Sequence, residues 1–443
     1  MAIVFVLGAG ASIGASPHGK TKFPSVTELM KRIREIVCEE EKSSLPALAL
    51  YLSRYSPLQT KQVIPTTLNS AWDHINVEEL YAAIEFEIRL TDHLMLNSGD
   101  KGSGIQLFHE FFSPSYRDAV SQLILGPYAD WVSTCYSASY GIMAFPHVHE
   151  NFLRIVKMEL LDSIALSLSV LSEREDTSNL SRLVRSFHEG DTVITFNYDL
   201  LIEQHLMKDR PNEWSYLTGY GLAPTSNECD LRFTGEMVTE PSKEPSRFKV
   251  LKLHGSCNWH IRYVQGPANG PPGFAEGYRT VPEPIGAGNQ VRNVSPAFFQ
   301  ATDNYHKRIT LKGEPPGYYE RFMIPPSPYK AEYSFSGEFL HMPDGTPLPL
   351  ASSTMWLPQS LFRQSLNALS NADRIVFIGF SLAPADTSIR MLFRAATDAN
   401  PRLSILEIAD PSSDVTKRIR TLVPNARYET HGSFGELLDS WAV

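Results

Sequence analysis

The feature that most constrains the fold is an apolar run at the start of the chain, residues 2–7, which ends in Gly8-Ala9-Gly10-Ala11-Ser12. A continuous apolar run that breaks into a glycine turn is typical of a parallel strand buried on both faces. A second such run, residues 375–378 after Arg374, ends in Gly379-Phe380-Ser381. Strand–turn–helix units at both ends of the chain predict an α/β fold with one doubly wound parallel sheet, built from distant segments.

The remaining periodicity predicts a helical block between the first two strands of that sheet. Ser25 followed by Glu28 is a capping-box pattern that starts the first helix. We predict strands at 192–196, 249–253, 402–409 and 426–429, and helices at 25–41, 76–95, 115–138, 146–172, 178–189, 356–371, 386–398, 412–421 and 433–441. The Pro- and Gly-rich stretch 260–350 predicts long ordered loops and short strands. We therefore expect a sheet domain of residues 1–29 plus 190–443 and a helical insertion, 30–189.

Composition excludes several classes of protein. A chain of 443 residues that is 42% hydrophobic can bury a sizeable core. A net charge of −9 disfavours a surface that coats anionic membrane or nucleic acid, so we expect no direct sequence-specific nucleic-acid binding. No stretch of about twenty apolar residues predicts a membrane span, and the N-terminal run lacks the basic flank of a signal peptide.

The four cysteines, Cys38, Cys135, Cys229 and Cys257, form no C-x-x-C pair. This spacing disfavours both a four-cysteine zinc site and a disulfide framework. We therefore expect a protein of the reducing cytoplasm.

Each candidate motif directly follows an apolar strand, and ligands of open parallel sheets bind beyond the carboxyl ends of the strands. In the first motif, Gly8, Ala9, Gly10 and Ser12 would let the backbone approach a pyrophosphate. A tight strand-to-loop turn is the alternative, because Ile13 stands where a dehydrogenase fingerprint has its third glycine.

The second motif is Thr195-Phe196-Asn197-Tyr198-Asp199. Residues two apart at a strand end can point into one pocket. There the Asn197 amide could hold a ribose hydroxyl or an attacking water, and Asp199 could stabilise positive charge on a ribosyl ring or hold a hydroxyl. Either residue could instead cap the helix that begins at Leu200.

The third motif places His254 at a strand end beside Gly255, where a histidine can act as a general base. A lone histidine is more often structural, and its position beside the other motifs favours the functional interpretation. Cys257 has no neighbour in the sequence that would lower its pKa, so we expect a passive role for it.

Three further groups could complete the site. Gly379 and Ser381 could contact phosphate or the adenine ribose, whereas Asp386 could contact it or cap the next helix. Glu407 and Asp410, on the next strand, offer acidic groups for an adenosine ribose. Ile324-Pro325-Pro326-Ser327 with Lys330 could close a loop over the site or form a surface turn.

Taken in order, these motifs resemble the sirtuin superfamily, and more closely the sirtuin-like NAD-hydrolysing domains of prokaryotic antiphage defence proteins. The resemblance covers roughly residues 1–24 and 190–430. It implies a Rossmann-like sheet on which Asn197, Asp199 and His254 line the nicotinamide–ribose pocket. It also implies that the first glycine turn contacts the phosphates and that Ser12 lies close to the ribose. The cofactor-binding set that we predict is Gly8, Ala9, Gly10, Ser12, Thr195, Gly379, Ser381 and Asp410.

Two departures from sirtuin deacylases narrow the expected chemistry. The chain lacks the cysteine pairs of their zinc ribbon, and only Phe23-Pro24 stands where they carry P-D-F-R. Without a peptide cleft, water is the natural acceptor, so we expect a metal-independent hydrolysis of NAD to nicotinamide and ADP-ribose. An ADP-ribosyltransferase and a non-catalytic module that binds NAD or ADP-ribose remain the alternatives.

The resemblance also implies regulation, since uncontrolled NAD loss would kill the host cell. The expected role is the toxic effector of an antiphage, abortive-infection system. Control would come from homo-oligomerisation or from a partner such as a HerA-type ATPase or a short Argonaute. The helical block at 30–190 is the expected interaction surface, because the sheet does not need it.

Overall fold

The computed structural model describes residues 2–40, 44–54, 68–97, 112–126, 145–215, 218–221, 231–232, 245–263, 279–282, 310–311, 318–323, 340–341, 347–348, 356–383, 386–424 and 426–441. The described strands, numbered along the chain, are β1 Ile3–Leu7, β2 Thr192–Thr195, β3 Leu231–Arg232, β4 Lys249–Lys252, β5 Gly255–Tyr263, β6 Arg279–Pro282, β7 Thr310–Leu311, β8 Tyr318–Met323, β9 Leu340–His341, β10 Pro347–Leu348, β11 Arg374–Ile378, β12 Ile405–Ala409 and β13 Arg427–His431.

The described helices are α1 Ala9–Ile13, α2 Leu29–Ile33, α3 Pro46–Ser53, α4 Val77–Asn97, α5 Pro114–Leu125, α6 Phe145–Arg174, α7 Ser178–Arg185, α8 Leu201–Asp209, α9 Trp356–Ser370, α10 Thr387–Asp398, α11 Ser413–Leu422 and α12 Phe434–Trp441. A π-helical segment, Arg34–Glu40, continues α2, and a 3₁₀ turn, Ser70–Trp72, precedes α4.

Six strands form one parallel sheet in the order β13-β12-β11-β1-β2-β4. From β1 the chain moves outward through β2 to β4, then returns to the other side of β1 and continues through β11, β12 and β13. The strand order therefore reverses between β1 and β11, as in doubly wound dinucleotide-binding folds. This confirms the predicted doubly wound parallel sheet.

The register brings the carboxyl ends of the three central strands to one level. Leu7 at the end of β1 lies opposite Ile378 on one side and Thr195 on the other. All five residues of β1 are buried, because helices flank the sheet. The Phe5 ring, for example, packs 4.8 Å from that of Phe187 and 6.1 Å from that of Trp441 in α12. The continuous apolar run is thus explained by burial on both faces.

The helical block, α2 to α7, lies in the sequence between the neighbouring strands β1 and β2. Its centre is α6, which packs against α3, α4 and α5. On α6 the buried Glu159 carboxylate accepts hydrogen bonds from the amides of Ala47 and Leu48, in the first turn of α3. The buried apolar residues of the block and of the sheet belong to one continuous core. Whether the block is an insertion into a separate domain stays a prediction.

The first predicted helix begins later than expected. The Glu28 carboxylate accepts a hydrogen bond from the Ser25 amide, which is half of the capping box, but residues 26–28 form a turn and α2 starts at Leu29. In the region 115–138, α5 ends at Leu125, and the residues beyond Gly126 lie outside the described part. Helix α3 was not predicted, because its sequence is apolar on every side and has no helical period.

The segment after β4 forms a small antiparallel sheet, with β5 between β6 and β8. β6 and β8 are short strands of the kind predicted for 260–350, whereas β5 begins earlier, at Gly255. The Pro325-Pro326 segment with Lys330 lies outside the described residues, as do Cys135 and Cys229. Across the described helices, none is both long and apolar enough to cross a membrane.

Candidate functional site

Two glycine turns meet where the strand order reverses. The Gly8 amide donates to the Ile378 carbonyl (3.1 Å), and the Gly10 amide donates to the Gly379 carbonyl (2.9 Å). Gly379 has a φ of +55°, and a Cβ placed on it would lie 2.2 Å from the carbonyl carbon of Gly10. Close packing of the two turns therefore requires these glycines. The first turn continues as a short helix, α1, which the predicted tight turn did not include.

The side chains of Ser12, Asn197 and Asp199 form one hydrogen-bonded cluster beside these turns. The Ser12 hydroxyl donates to the Asp199 carboxylate (2.6 Å). The Asn197 amide nitrogen donates to the Ser12 hydroxyl and to the Gly8 carbonyl, both at 3.0 Å. Ser12 and Asp199 are buried and Asn197 is half-buried. The structure thus joins the first two predicted motifs, which are far apart in the sequence.

The turn that carries Asn197 and Asp199 is also held by side chains that accept hydrogen bonds from its backbone amides. Thr195 accepts a hydrogen bond from the Asn197 amide on its hydroxyl oxygen (3.1 Å), so this side chain holds the turn. The Asp199 carboxylate accepts from the Leu201 amide (3.2 Å) at the start of α8. Asp199 therefore fulfils the helix-start role that the sequence left open, and it still reaches the cluster through its second oxygen.

His254 follows β4, and its segment is bonded to the same turn. The Leu253 amide donates to the Thr195 carbonyl (3.1 Å), and the Cys257 amide donates to the Tyr198 carbonyl (3.0 Å). The His254 side chain is buried, with its ring edge-on to that of Phe196 at 5.0 Å. Cys257 is also buried. The segment that carries the predicted base, His254, is therefore hydrogen-bonded through its backbone to the turn that carries Asn197 and Asp199.

Tyr198 lies between Asn197 and Asp199, and a carboxylate of the helical block influences the pKa of its hydroxyl. Burial raises the pKa of its hydroxyl well above the usual value, and the carboxylates of Glu78 and Asp386 raise that pKa further. Glu78 lies in the first turn of α4, and Asp386 lies at the start of α10. The hydroxyl therefore stays protonated at neutral pH. The two carboxylates that raise its pKa come from different parts of the chain, α4 and the start of α10.

A buried ion pair under the cluster is the feature that sequence reasoning missed. The Lys252 ammonium on β4 donates to the Asp199 backbone carbonyl and to the Glu203 carboxylate of α8 (2.8 Å). Tyr220 donates to the same carboxylate oxygen (3.2 Å), and Asn258 donates to the Tyr220 hydroxyl. The signal in the sequence was a lysine inside the apolar segment Val250-Leu251-Lys252-Leu253.

A small cavity lies between the cluster and this ion pair. Its volume of about 10 Å³ gives room for one water molecule. Its polar lining consists of Ser12, Thr195, Asn197, Asp199, Glu203 and Lys252. This cavity is large enough for a water molecule but too small for a ribose. A nucleotide would therefore bind above these side chains or displace them.

On the other side of the strand-order reversal, the structure separates two predicted acidic groups. Asp410 follows β12, is half-buried, and accepts from the Ser412 amide (2.8 Å); burial raises its pKa. Glu407 lies inside β12, where its carboxylate pairs with Arg374 and accepts from the Trp441 indole (2.9 Å). The prediction that Glu407 serves a ribose is therefore wrong, because this side chain is buried and fully engaged within the sheet.

Ser381, in the predicted phosphate-contacting turn, is exposed beside Leu382. Leu382 has a positive φ of 48° and a buried side chain. Strained non-glycine backbone of this kind tends to occur at ligand-binding segments. The Gly379 amide donates to the Ala409 carbonyl (3.0 Å), which keeps this turn next to Asp410.

Metal-ligating groups converge away from the cluster. Among the described residues, one such group exists: Glu407, Glu429 and His431 place ligand atoms within 4.8 Å of one another. The oxygens of Glu407 already accept from Arg374 and Trp441. The cluster of Ser12, Asn197 and Asp199 offers hydrogen-bonding groups and a single carboxylate.

The strand order, the parallel register and the polar side chains at the strand ends define an α/β protein with a Rossmann-like sheet. No protein-family model matches the chain, and no curated protein matches it either.

Proposed function

We propose that this protein binds NAD at the carboxyl ends of its strands and hydrolyses the nicotinamide–ribose bond. The observation that carries the proposal is the position of the Ser12–Asn197–Asp199 cluster. It lies beside the point where the strand order reverses, between β1 and β11, and doubly wound sheets bind dinucleotides there. The motif resemblance to sirtuin-like NAD hydrolases supports the same substrate.

In the proposed reaction, the bond between the ribose anomeric carbon and the nicotinamide nitrogen breaks through an oxocarbenium-like state. Its electron pair leaves with nicotinamide, and a water oxygen bonds to the anomeric carbon. Asn197 orients the ribose or this water, Asp199 stabilises the positive charge, and His254 accepts the proton that water loses. The products are nicotinamide, ADP-ribose and a proton.

The described contacts set a condition for this reaction. The Asn197 amide group and the Ser12 hydroxyl are engaged with each other, with Gly8 and with Asp199. The ribose hydroxyls must replace some of these hydrogen bonds. Such an exchange costs little only if the incoming partners are equally good, which favours a hydroxyl-rich ligand.

The direct test is incubation of the full chain with NAD, followed by chromatography of the products. We expect nicotinamide and ADP-ribose from the wild type and no NAD loss from Asn197→Ala or His254→Ala. The matched control is Asn400→Ala. Asn400 is buried and also donates twice, to the Leu369 and Ala372 carbonyls, but lies outside the cluster. Full turnover by both site variants would contradict the assignment.

NAD labelled in its adenosine part separates the possible reactions. Label in free ADP-ribose is the result expected of a hydrolase. Label that remains on protein or nucleic acid would show a transferase, and calorimetric binding without any product would show a signalling module.

The helical block supports control of the enzyme from outside the sheet. Phe86 (64% exposed) and Leu90 (43%) lie one turn apart on α4, whose first turn carries Glu78, the residue that acts on Tyr198. We propose that oligomerisation or a partner, of the HerA-type ATPase or short Argonaute kind, controls NAD cleavage through this block in an antiphage role. Size-exclusion chromatography with parallel NAD assays tests this, and a constitutively active lone monomer would contradict it.

A further inference from the structure

We infer that the buried Lys252–Glu203 ion pair positions the Asn197–Asp199 turn for reaction. Both residues would be positioning residues, since they act through the turn and not on the substrate. The inference rests on the proposed function for its catalytic consequence, whereas its structural part concerns the turn alone.

The geometry of Lys252 links the three elements that make up the site. Its backbone belongs to β4, where it lies opposite Thr195 of β2. Its ammonium reaches the carbonyl of Asp199 and the carboxylate of Glu203 on α8. Two residues after Lys252 comes His254. One side chain therefore fixes the spacing between the strand that leads to His254 and the turn that carries Asn197 and Asp199.

Because the pair is buried, it contributes little net free energy to the stability of the fold. Both side chains are only 1% exposed, and the desolvation of two charges offsets most of their attraction, so an apolar pair of similar size often stabilises a fold equally well. The ammonium also lies at the start of α8, where the helix dipole disfavours a cation. Since both effects reduce the stability gained from the pair, its role is better explained by the hydrogen bond through which Lys252 holds the Asp199 carbonyl.

The neighbours of the ion pair fix its orientation. Tyr220 is fully buried and donates to the Glu203 oxygen that Lys252 also contacts. The same cavity borders Lys252, Glu203, Ser12 and Asp199, and a water molecule in it could accept the third ammonium hydrogen. The pair is thus held rigidly below the cluster and does not open to solvent.

The test uses a double variant, because removing one charge would leave the other buried alone and could unfold the protein. Lys252→Met with Glu203→Gln keeps the side-chain volume and the acceptor for Tyr220. We expect a folded protein whose kcat for NAD falls between about 10- and 100-fold, because the turn is misplaced, with KM within about twofold. The matched control is Lys157→Met with Glu85→Gln, a mostly buried Lys–Glu pair of the helical block.

Hydrogen exchange gives a second readout that needs no activity. The amides of Asn197 and Leu201 are held by Thr195 and Asp199 within the turn. We expect both amides to exchange faster in the double variant than in the wild type, while the control pair leaves them unchanged. Wild-type kcat in the folded double variant would overturn the inference, as would a rise in KM alone.

The two proposals can fail separately. If the wild type cleaves no NAD, the proposed function fails, and exchange at Asn197 and Leu201 decides the positioning role. Unchanged exchange in the double variant then overturns that role too.

Discussion

The Ser12 hydroxyl donates to the Asp199 carboxylate across 2.6 Å, although 187 positions separate the two residues in the chain. Ser12 belongs to the short helix after β1, and Asp199 belongs to the turn after β2. Both strands end at the same level of the sheet. This contact brings residues of two separate sequence motifs into one polar cluster.

Replacing Ser12 should therefore lower the stability of the fold. In Ser12→Ala the buried Asp199 carboxylate loses a donor and Asn197 loses an acceptor, so we expect a loss of about 1–3 kcal/mol in the free energy of unfolding. Urea denaturation measures this. The control is Ser163→Ala, a buried serine whose hydroxyl donates to the Glu159 carbonyl one turn earlier. If Ser12→Ala lost no more free energy of unfolding than Ser163→Ala, the hydrogen bonds of the cluster would not stabilise the fold as expected.

The contact between the two glycine turns predicts a steric effect at Gly379. Gly379→Ala should destabilise the fold by more than the roughly 1–3 kcal/mol of an unfavourable φ, because its Cβ also collides with Gly10 backbone. Gly19→Ala is the matched control, since Gly19 has a positive φ but nothing within 4 Å of an added Cβ. Equal shifts in the thermal midpoint would show that the turns can move apart.

The proposed adenosine side of the site makes a prediction about KM. If Asp410 binds a ribose hydroxyl, Asp410→Ala should raise KM for NAD about tenfold and leave kcat nearly unchanged. Asp414→Ala, an exposed aspartate of the next helix, serves as control. Steady-state kinetics distinguish the outcomes, and an unchanged KM would remove Asp410 from the binding site.

His149 predicts acid sensitivity of the helical block. Burial, together with the neighbouring Arg54 cation, lowers its pKa to about 3, whereas an unfolded histidine titrates near 6.5. Because the unfolded chain then binds the extra proton, stability is complete above about pH 6.5 and falls as the pH decreases toward 3, by up to about 1.4 kcal/mol per pH unit.

His149→Phe removes this titration and places a third phenyl ring beside Phe112 and Phe152, whose centroids lie 4.5 and 6.0 Å from the His149 ring. We expect a shallower loss of stability than in the wild type between pH 7 and 5, measured as urea midpoints. His188→Gln, at an exposed histidine, is the control. Equal slopes for wild type and His149→Phe would contradict the prediction.

The sheet could be predicted because its central strands are buried on both faces. β1 and β11 therefore appear as uninterrupted apolar runs, and each breaks into a glycine where the two turns touch. Helix α3 could not be predicted, since it is buried all round and its sequence has no helical period. The strand β5 was missed although its sequence alternates apolar and polar residues from Cys257 to Tyr263, which is the period of a strand.

The site shows the same limit. Asn197 and His254 could be placed at strand ends from the sequence, because each follows an apolar run. That these residues line a binding crevice stays a prediction. Glu407 was misjudged, because nothing local reveals that Arg374 and Trp441 engage its carboxylate. Lys252 and Glu203 were missed for a related reason: an ion pair between a strand and a helix 49 positions away exists only after folding.

The pairing of β1 has a consequence for synthesis of the protein on the ribosome. Ile378, the neighbour of Leu7, follows it 371 positions later in the chain, which takes about 20–75 s at typical translation rates. Until then the central strand lacks one partner, and the glycine turn at Gly8 has no Gly379 against which to close. A chain that has not yet reached Gly379 therefore lacks the contact between the two glycine turns, and the candidate site can be completed only after β11 has been made.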